Sequence, residues 1–269
     1  MIVFPNAKIN IGLNITEKRS DGFHNIETVF YPIGLSDILE INNSSELRFE
    51  NTGLTVENKK LENNLCYKAY EALNNNFKLD PIEIHLHKII PFGAGLGGGS
   101  ADASFTLKAL NSHMKLNLDD ETLINYAEKI GSDCPFFILN KPAFASEKGN
   151  KLSPIKLSLK GYFMVLVHPG INVNTAKAYS KIKPAKPSES LSELIFQPIE
   201  NWISLIKNDF EESVFEEYPE IEKIKTQLYN SGAIYASMSG SGSSVYGIFK
   251  KGVDLKSQFE KYFIYTELL

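Results

Sequence analysis

At 269 residues the chain is long enough to bury a sizeable core and to divide into two domains. Its 43% hydrophobic and 22% charged residues are ordinary for a soluble globular protein, and a formal net charge of -4 argues against a general nucleic-acid surface. No signal-like start and no run near about 18 apolar residues stands out, so the expected address is the cytoplasm, with no membrane partner. Cys66 and Cys134 are far apart, in no metal or redox spacing, and read as buried thiols.

Residues 7–16 alternate, with Ala7, Ile9, Ile11, Leu13 and Ile15 on one face and Lys8, Asn10, Gly12, Asn14 and Thr16 on the other. The pattern predicts a half-buried strand whose polar face, carrying Lys8 beside Asn10, meets solvent. A turn around Asp21-Gly22 follows and presents Phe23 and His24, before strand-like runs at 25–34, 37–43 and 46–50. Asn63-Asn64 predicts the N-cap of a helix with an apolar stripe of Leu65, Ala69, Ala72 and Leu73. Residues 81–88 alternate again, which turns Glu83, His85 and His87 outward. The two histidines have no third ligand at a recognisable spacing and read as a solvent-facing pair.

That strand leads into Pro91-Phe92-Gly93-Ala94-Gly95-Leu96-Gly97-Gly98-Gly99-Ser100-Ala101, directly before a helix-like run over 101–110. A glycine-dense turn opening a helix brings free amides and the positive end of the helix dipole to one point, an arrangement that favours a phosphate. Residues 93–98 satisfy G-x-G-x-x-G, but the segment after the helix is polar and no acid ends a second strand, so a dinucleotide site is rejected. No Gly-Lys-Ser/Thr follows, so a Walker loop is rejected too. Ser100 can bind a phosphate oxygen or Mg²⁺, or cap the helix.

Asp119-Asp120 opens a second helix ending near 130. Gly131-Ser132-Asp133-Cys134-Pro135-Phe136-Phe137 then places an acid in a tight turn before an apolar run. Asp133 is either a cap or a carboxylate presented at the floor of a site. Residues 148–160 read as the passage between domains. A buried strand (162–167), a short helix (174–182), a Pro/Lys/Ser loop (183–190) and helices near 199–208 and 219–230 follow. Strands at 233–238 and 244–250 flank a second glycine turn, Ser239-Gly240-Ser241-Gly242-Ser243, and a helix over 254–262 precedes a terminal strand.

Three of these stretches together resemble the GHMP kinase superfamily: Pro5 to Leu13, the loop Pro91 to Ser100, and Met238 to Ser244. Two more, Lys18-Arg19-Ser20-Asp21-Gly22-Phe23-His24 and the Asp133 turn, are similar to elements paired in one branch, whose members phosphorylate a CDP-linked alcohol. The likeness runs from about Val3 to Phe249. It implies an α+β, two-domain GHMP kinase fold. Residues 1–152 would form an ATP-binding and catalytic α/β domain like that of a ribosomal protein, and 153–269 a ferredoxin-like α/β sandwich.

The resemblance implies an ATP- and Mg²⁺-dependent phosphorylation of the 2-hydroxyl of a CDP-linked methylerythritol in the non-mevalonate isoprenoid pathway. By it, Asp133 accepts or orients the hydroxyl proton and Lys8 pairs with it, keeping the carboxylate ionised and stabilising the forming alkoxide. Residues Pro91 to Ala101 take the ATP, with Asn64 and Lys88 lining the adenine pocket. Asn10 holds the erythritol end, His24 bonds the cytosine edge, and Phe23 and Tyr179 stack on the base, with Thr175 nearby. Phe23 stands where the branch has Tyr, and Cys134 where it has Val. The Mg²⁺ ligands are not identified, and the oligomeric state is a monomer or a weak homodimer. Two other readings are a GHMP kinase for a different alcohol and a non-catalytic RNA-binding module. The acidic charge balance and the lack of a basic, aromatic-interleaved patch argue against the second.

Overall fold

The structure, a computed structural model, describes residues 1–55 and 61–269. Its strands are β1 (Ile2–Val3), β2 (Asn6–Lys18), β3 (His24–Ser36), β4 (Ile38–Asn43), β5 (Arg48–Gly53), β6 (Ile82–Lys88), β7 (Ala143–Ser146), β8 (Lys151–Pro154), β9 (Phe163–His168), β10 (Tyr235–Met238), β11 (Val245–Phe249) and β12 (Phe263–Leu268). Its helices are α1 (Leu65–Phe77), α2 (Gly98–His113), α3 (Asp120–Ile130), α4 (Cys134–Leu139), α5 (Thr175–Ser180), α6 (Leu191–Leu194), α7 (Trp202–Leu205), α8 (Phe210–Glu217) and α9 (Pro219–Asn230). Among the described residues no helix is long and apolar enough to cross a membrane. The chain forms two compact units: Met1–Ala7, Gly34–Phe92 and Gly97–Lys141 in the first, and Lys8–Ile33, Gly93–Leu96 and Pro142–Leu269 in the second.

In the first unit the sheet order is β1-β4-β6-β5, with β4 antiparallel and β5 parallel to β6. Alternation in β6 sends Ile82, Ile84 and Leu86 to one face, where they join Leu39 and Ile41 of β4. Cys66, Ala69, Tyr70 and Leu73 of α1 and Ala103, Leu107 and Leu110 of α2 close over them. Each large aliphatic side chain buried this way contributes roughly 1.5–3 kcal/mol. Asn64 caps α1 as expected, its side chain accepting from Cys66 N–H at 2.8 Å. The outward pair on β6 differs from expectation: His85 and His87 are half-buried and share the Thr52 hydroxyl of β5, at 2.8 and 2.9 Å. The parallel neighbour in register with β6 covers what the pattern assigned to solvent.

The second unit holds the antiparallel sheet β10-β11-β9-β12 and most of the sheet β2-β3-β7-β8. Val165 and Val167 of β9, Ala236 and Met238 of β10 and Val245 of β11 pack with Ile221, Ile224 and Leu228 of α9 and with Leu13 and Ile15 of β2. The expected half-buried strand is buried on both faces from Ala7 to Ile15, with Lys8 and Asn10 each 3% exposed. The reason is visible at Gly12, where an added Cβ would stand 2.7 Å from Ile206 and 3.0 Å from Leu191, on a backbone at φ +67°. Side chains from far along the sequence cover the polar face.

Three further expectations are corrected. Part of the supposed passage 148–160 is strand β8, paired antiparallel with β7 from Ala143↔Pro154 to Ser146↔Lys151. The expected helix at 254–262 is a series of turns, anchored by buried Leu255 and Phe259 without a continuous helical ladder. The region 199–208 is a short 3-10 turn and α7, which ends at Ile206 in extended conformation, and α8 follows at once. Asn208 makes that junction. Its amide donates to Met238 O (2.9 Å) and Gly240 O (2.8 Å), and its oxygen accepts from Phe210 N–H (3.0 Å). Asn208→Ala should strand these buried groups and lower stability by about 3 kcal/mol, read as a lower urea midpoint with an unchanged slope.

Candidate active site

In the first unit the chain turns from Gly97, in the left-handed region at φ +71°, into α2. The first helical bond runs from Ala101 N–H to Gly97 O (2.9 Å), and no side chain caps the amides before it. Gly98 has no room for a Cβ, which would lie 2.9 Å from Ile90 and 3.4 Å from Lys88 Nζ; at Gly99 one would lie 3.4 Å from Leu65. The start of α2 thus packs against the end of β6 and the start of α1, next to Asn64. Lys88 is buried, and its ammonium donates to Asp37 and to Asp102 Oδ2, the latter at 2.6 Å. Burial pushes the Asp102 carboxyl up to about 8, against the pull of Lys88.

Asp133 stands at the N-cap of α4, yet its side chain makes no cap bond. The turn is fixed from below: Ser104 Oγ lies 2.9 Å from Ser100 O and 2.7 Å from Cys134 O, which joins the first turns of α2 to the start of α4. Cys134 is buried, and that burial pushes its thiol up to about 11, so it packs as a neutral group.

In the second unit Lys8 Nζ donates to Asn10 Oδ1 and to Gly95 O (3.1 Å), and it lies 4.9 Å from the centre of the Phe30 ring. Asn10 is held on every side. Its Nδ2 donates to Thr28 Oγ1 (2.9 Å), its N–H to Ser239 Oγ (3.1 Å), and its carbonyl accepts from Tyr246 OH (2.9 Å). Ser239 Oγ in turn donates to Gly95 O (2.8 Å), Lys8 N–H bonds Leu96 O (3.0 Å) and Ser244 N–H bonds Ala94 O (3.2 Å). Gly93–Leu96, the second glycine turn and the Lys8 strand are thus one hydrogen-bonded cluster. Gly95 makes it possible: a Cβ there would stand 1.9 Å from Ser239 O.

The aromatic residues are placed differently from one another. His24 stacks on Tyr179 (centroids 4.8 Å, planes 14° apart), and Tyr179 meets Phe210 edge-on. Phe23 is 60% exposed, with Lys148 Nζ 5.1 Å from its ring centre. Thr175 Oγ1 is 2.9 Å from Ser241 Oγ of the second glycine turn. Partial burial, and secondarily the charge of Lys18, lower the His24 pKa, which keeps the ring neutral at neutral pH.

Models of the GHMP kinases N terminal domain and of the GHMP kinases C terminal match residues 64–141 and 189–264. A relative from Bacteroides fragilis, "4-diphosphocytidyl-2-C-methyl-D-erythritol kinase", is 56% identical with all of both chains covered. The chain belongs to the GHMP kinase family. A Parabacteroides distasonis relative of the same name is 53% identical over 96% of this chain and 95% of its own. A crystal structure of a 4-(cytidine 5'-diphospho)-2C-methyl-D-erythritol kinase is similar at a TM-score of 0.82 and 28% identity, covering 99% of this chain and 98% of that one. The α+β, two-domain GHMP kinase fold is therefore the fold of this chain.

The glycine clusters of this GHMP kinase use residues that the sequence reading did not single out: Thr28, Asp37, Asp102, Ser239 and Tyr246. Ser239 lay within the second glycine motif, and that was its signal. The others carry none, since their partners are remote in sequence. Gly95→Ala should be destabilising by more than about 3 kcal/mol, because φ is +76° and the Cβ meets backbone, and it should be detected as a fall in the urea midpoint. A pH effect follows from Asp102. A carboxyl raised from its ordinary 3.8 to about 8 holds a proton in the folded state that the unfolded chain has released. Its contribution to stability therefore declines as pH rises from about 4 to about 8, and Asp102→Asn should remove that decline in urea titrations run across the range.

Proposed function

We propose that this GHMP kinase transfers the γ-phosphoryl group of ATP to the 2-hydroxyl of 4-diphosphocytidyl-2-C-methyl-D-erythritol, in the non-mevalonate route to isoprenoid precursors. One observation carries the reading. The uncapped start of α2 and the Asp133 turn are joined through Ser104, in a chain 56% identical, end to end, to a relative named for that kinase.

In this reading Pro91 to Ala101 hold the ATP phosphates on backbone amides, with Asn64 and Lys88 at the nucleotide's other end. The 2-hydroxyl oxygen forms a bond to the γ-phosphorus while the bond to the β–γ bridging oxygen breaks, and ADP leaves. Asp133 accepts or orients the hydroxyl proton, and Lys8 supplies positive charge to the alkoxide as it develops. Such transfers depend on positioning and charge neutralisation more than on covalent help. Lys8 is well suited because Asn10, Gly95 O and the Phe30 face hold its ammonium in place.

Mg²⁺ enters as the ion carried by the ATP phosphates. Among the described residues no group of three or more His, Cys, Asp or Glu side chains could hold a metal. Mg²⁺ would be held chiefly with the ATP, the Ser100 hydroxyl being the loop side chain to bind it, and would supply charge neutralisation. Asn10 takes the erythritol end. The cytosine stacks against Tyr179 and Phe23, with Thr175 alongside, and neutral His24 offers one ring nitrogen as donor and the other as acceptor to its edge. We assign ATP binding and the acid to residues 1–152 and completion of the site to 153–269. The enzyme works in the cytoplasm as a monomer or weak homodimer, without nucleic-acid or membrane partners.

The test is ADP release coupled to a panel of alcohols. Turnover of the CDP-alcohol is expected, and turnover of mevalonate or homoserine instead would sink the proposal. Asp133→Asn should lower kcat at least about 100-fold while ATP still binds. Phe23→Ala should raise KM for the cytidine substrate with little change in kcat. A near-normal kcat for the Asp133 variant would remove it from the chemistry.

A further inference from the structure

The two ends of the glycine loop, where β6 stops and α2 begins, are tied together by three buried ionisable side chains. Asp37 is fully buried, and its Oδ1 accepts from the amides of Ile89 (2.6 Å) and Ile90 (2.8 Å), the last residues before Pro91. Its other oxygen takes the Lys88 ammonium. The same ammonium reaches Asp102 Oδ2 (2.6 Å), one turn into α2, and lies 5.3 Å from the centre of the Phe92 ring. Strand exit and helix entry are therefore linked through one nitrogen.

Stability does not explain this arrangement. Buried ion pairs are often matched or exceeded by apolar residues of similar volume, because desolvating the charges cancels most of their attraction. Here two carboxyl groups share one ammonium, and Asp102 Oδ1 is buried with no hydrogen-bond partner. An orphaned buried oxygen is a cost that a leucine would not carry. What a leucine cannot do is hold the first turns of α2 at a set distance from the end of β6. The amides before Ala101 act on a phosphate only if they are already aimed when it arrives, and errors of about 1 Å in such placements can cost about 100-fold in rate.

We infer that Asp37, Lys88 and Asp102 form a clasp that fixes the separation of the loop's two ends, and that Asp102 is a positioning residue for the nucleotide phosphates. The inference rests on the kinase reading above, and it gives Lys88 a duty to the loop's geometry whatever it offers the nucleotide.

The test compares wild type with Asp102→Leu, Asp102→Ala and Asp102→Asn, using CDP-alcohol turnover, direct ATP titration and urea unfolding. Leucine leaves Lys88 and Asp37 as a one-to-one pair, so stability should be equal or higher. KM and the dissociation constant for ATP should nevertheless rise at least tenfold and kcat should fall, with KM for the alcohol within twofold of wild type. Alanine should shift the ATP constants likewise and serves if leucine is not accommodated. Asparagine keeps an oxygen for Lys88 and should restore the ATP constants to within threefold. Leucine or alanine variants that bind ATP within twofold of wild type would overturn the clasp. A wild-type protein that binds no ATP and leaves the CDP-alcohol untouched would overturn the kinase reading itself.

Discussion

An ammonium taken out of water has to be surrounded by oxygens or aromatic faces, and this constraint shapes the surroundings of one buried lysine in each unit. Lys8 meets it with Asn10, the Gly95 carbonyl and the Phe30 ring; Lys88 meets it with Asp37, Asp102 and the Phe92 ring. Each lysine draws a stretch of the glycine loop toward itself. Lys8 takes a carbonyl of the loop's middle, and Lys88 ties its two ends. In each unit the stretch of loop it holds is therefore fixed by a buried cation as well as by its own glycines.

The glycines have a complementary part. Gly95 lets the Ser239 carbonyl come to where a Cβ would be, and Gly98 lets the helix start sit on Ile90 and the Lys88 ammonium. Backbone freedom and charge satisfaction thus act together on this loop.

For a phosphoryl-transfer enzyme this division of labour is physically reasonable. The reaction asks little covalent chemistry of the protein and much fixed electrostatics. Groups held from several directions, as Asn10 is by Thr28, Ser239 and Tyr246, need not reorganise when charge develops. The aromatic residues are less constrained. Phe23 lies in solvent while His24 and Tyr179 are already stacked.

The period of two in residues 7–16, the Asn64 cap, the glycine run opening α2 and the Asp133 turn were all legible in the sequence, because each is set by neighbours within a turn or a strand. The likeness that named the family was legible as well, since its motifs are contiguous. What the sequence left open was burial and partnership. The polar face of β2 is covered by Leu191 and Ile206, the acids around Lys88 come from Asp37 and Asp102, and the helix expected at 254–262 gave way to turns. Local pattern carries no signal for such contacts, because they depend on which remote segments pack together. By pattern alone Lys8 looked like an ordinary strand lysine, until tertiary structure removed its water and supplied the oxygens that make a buried ammonium tolerable.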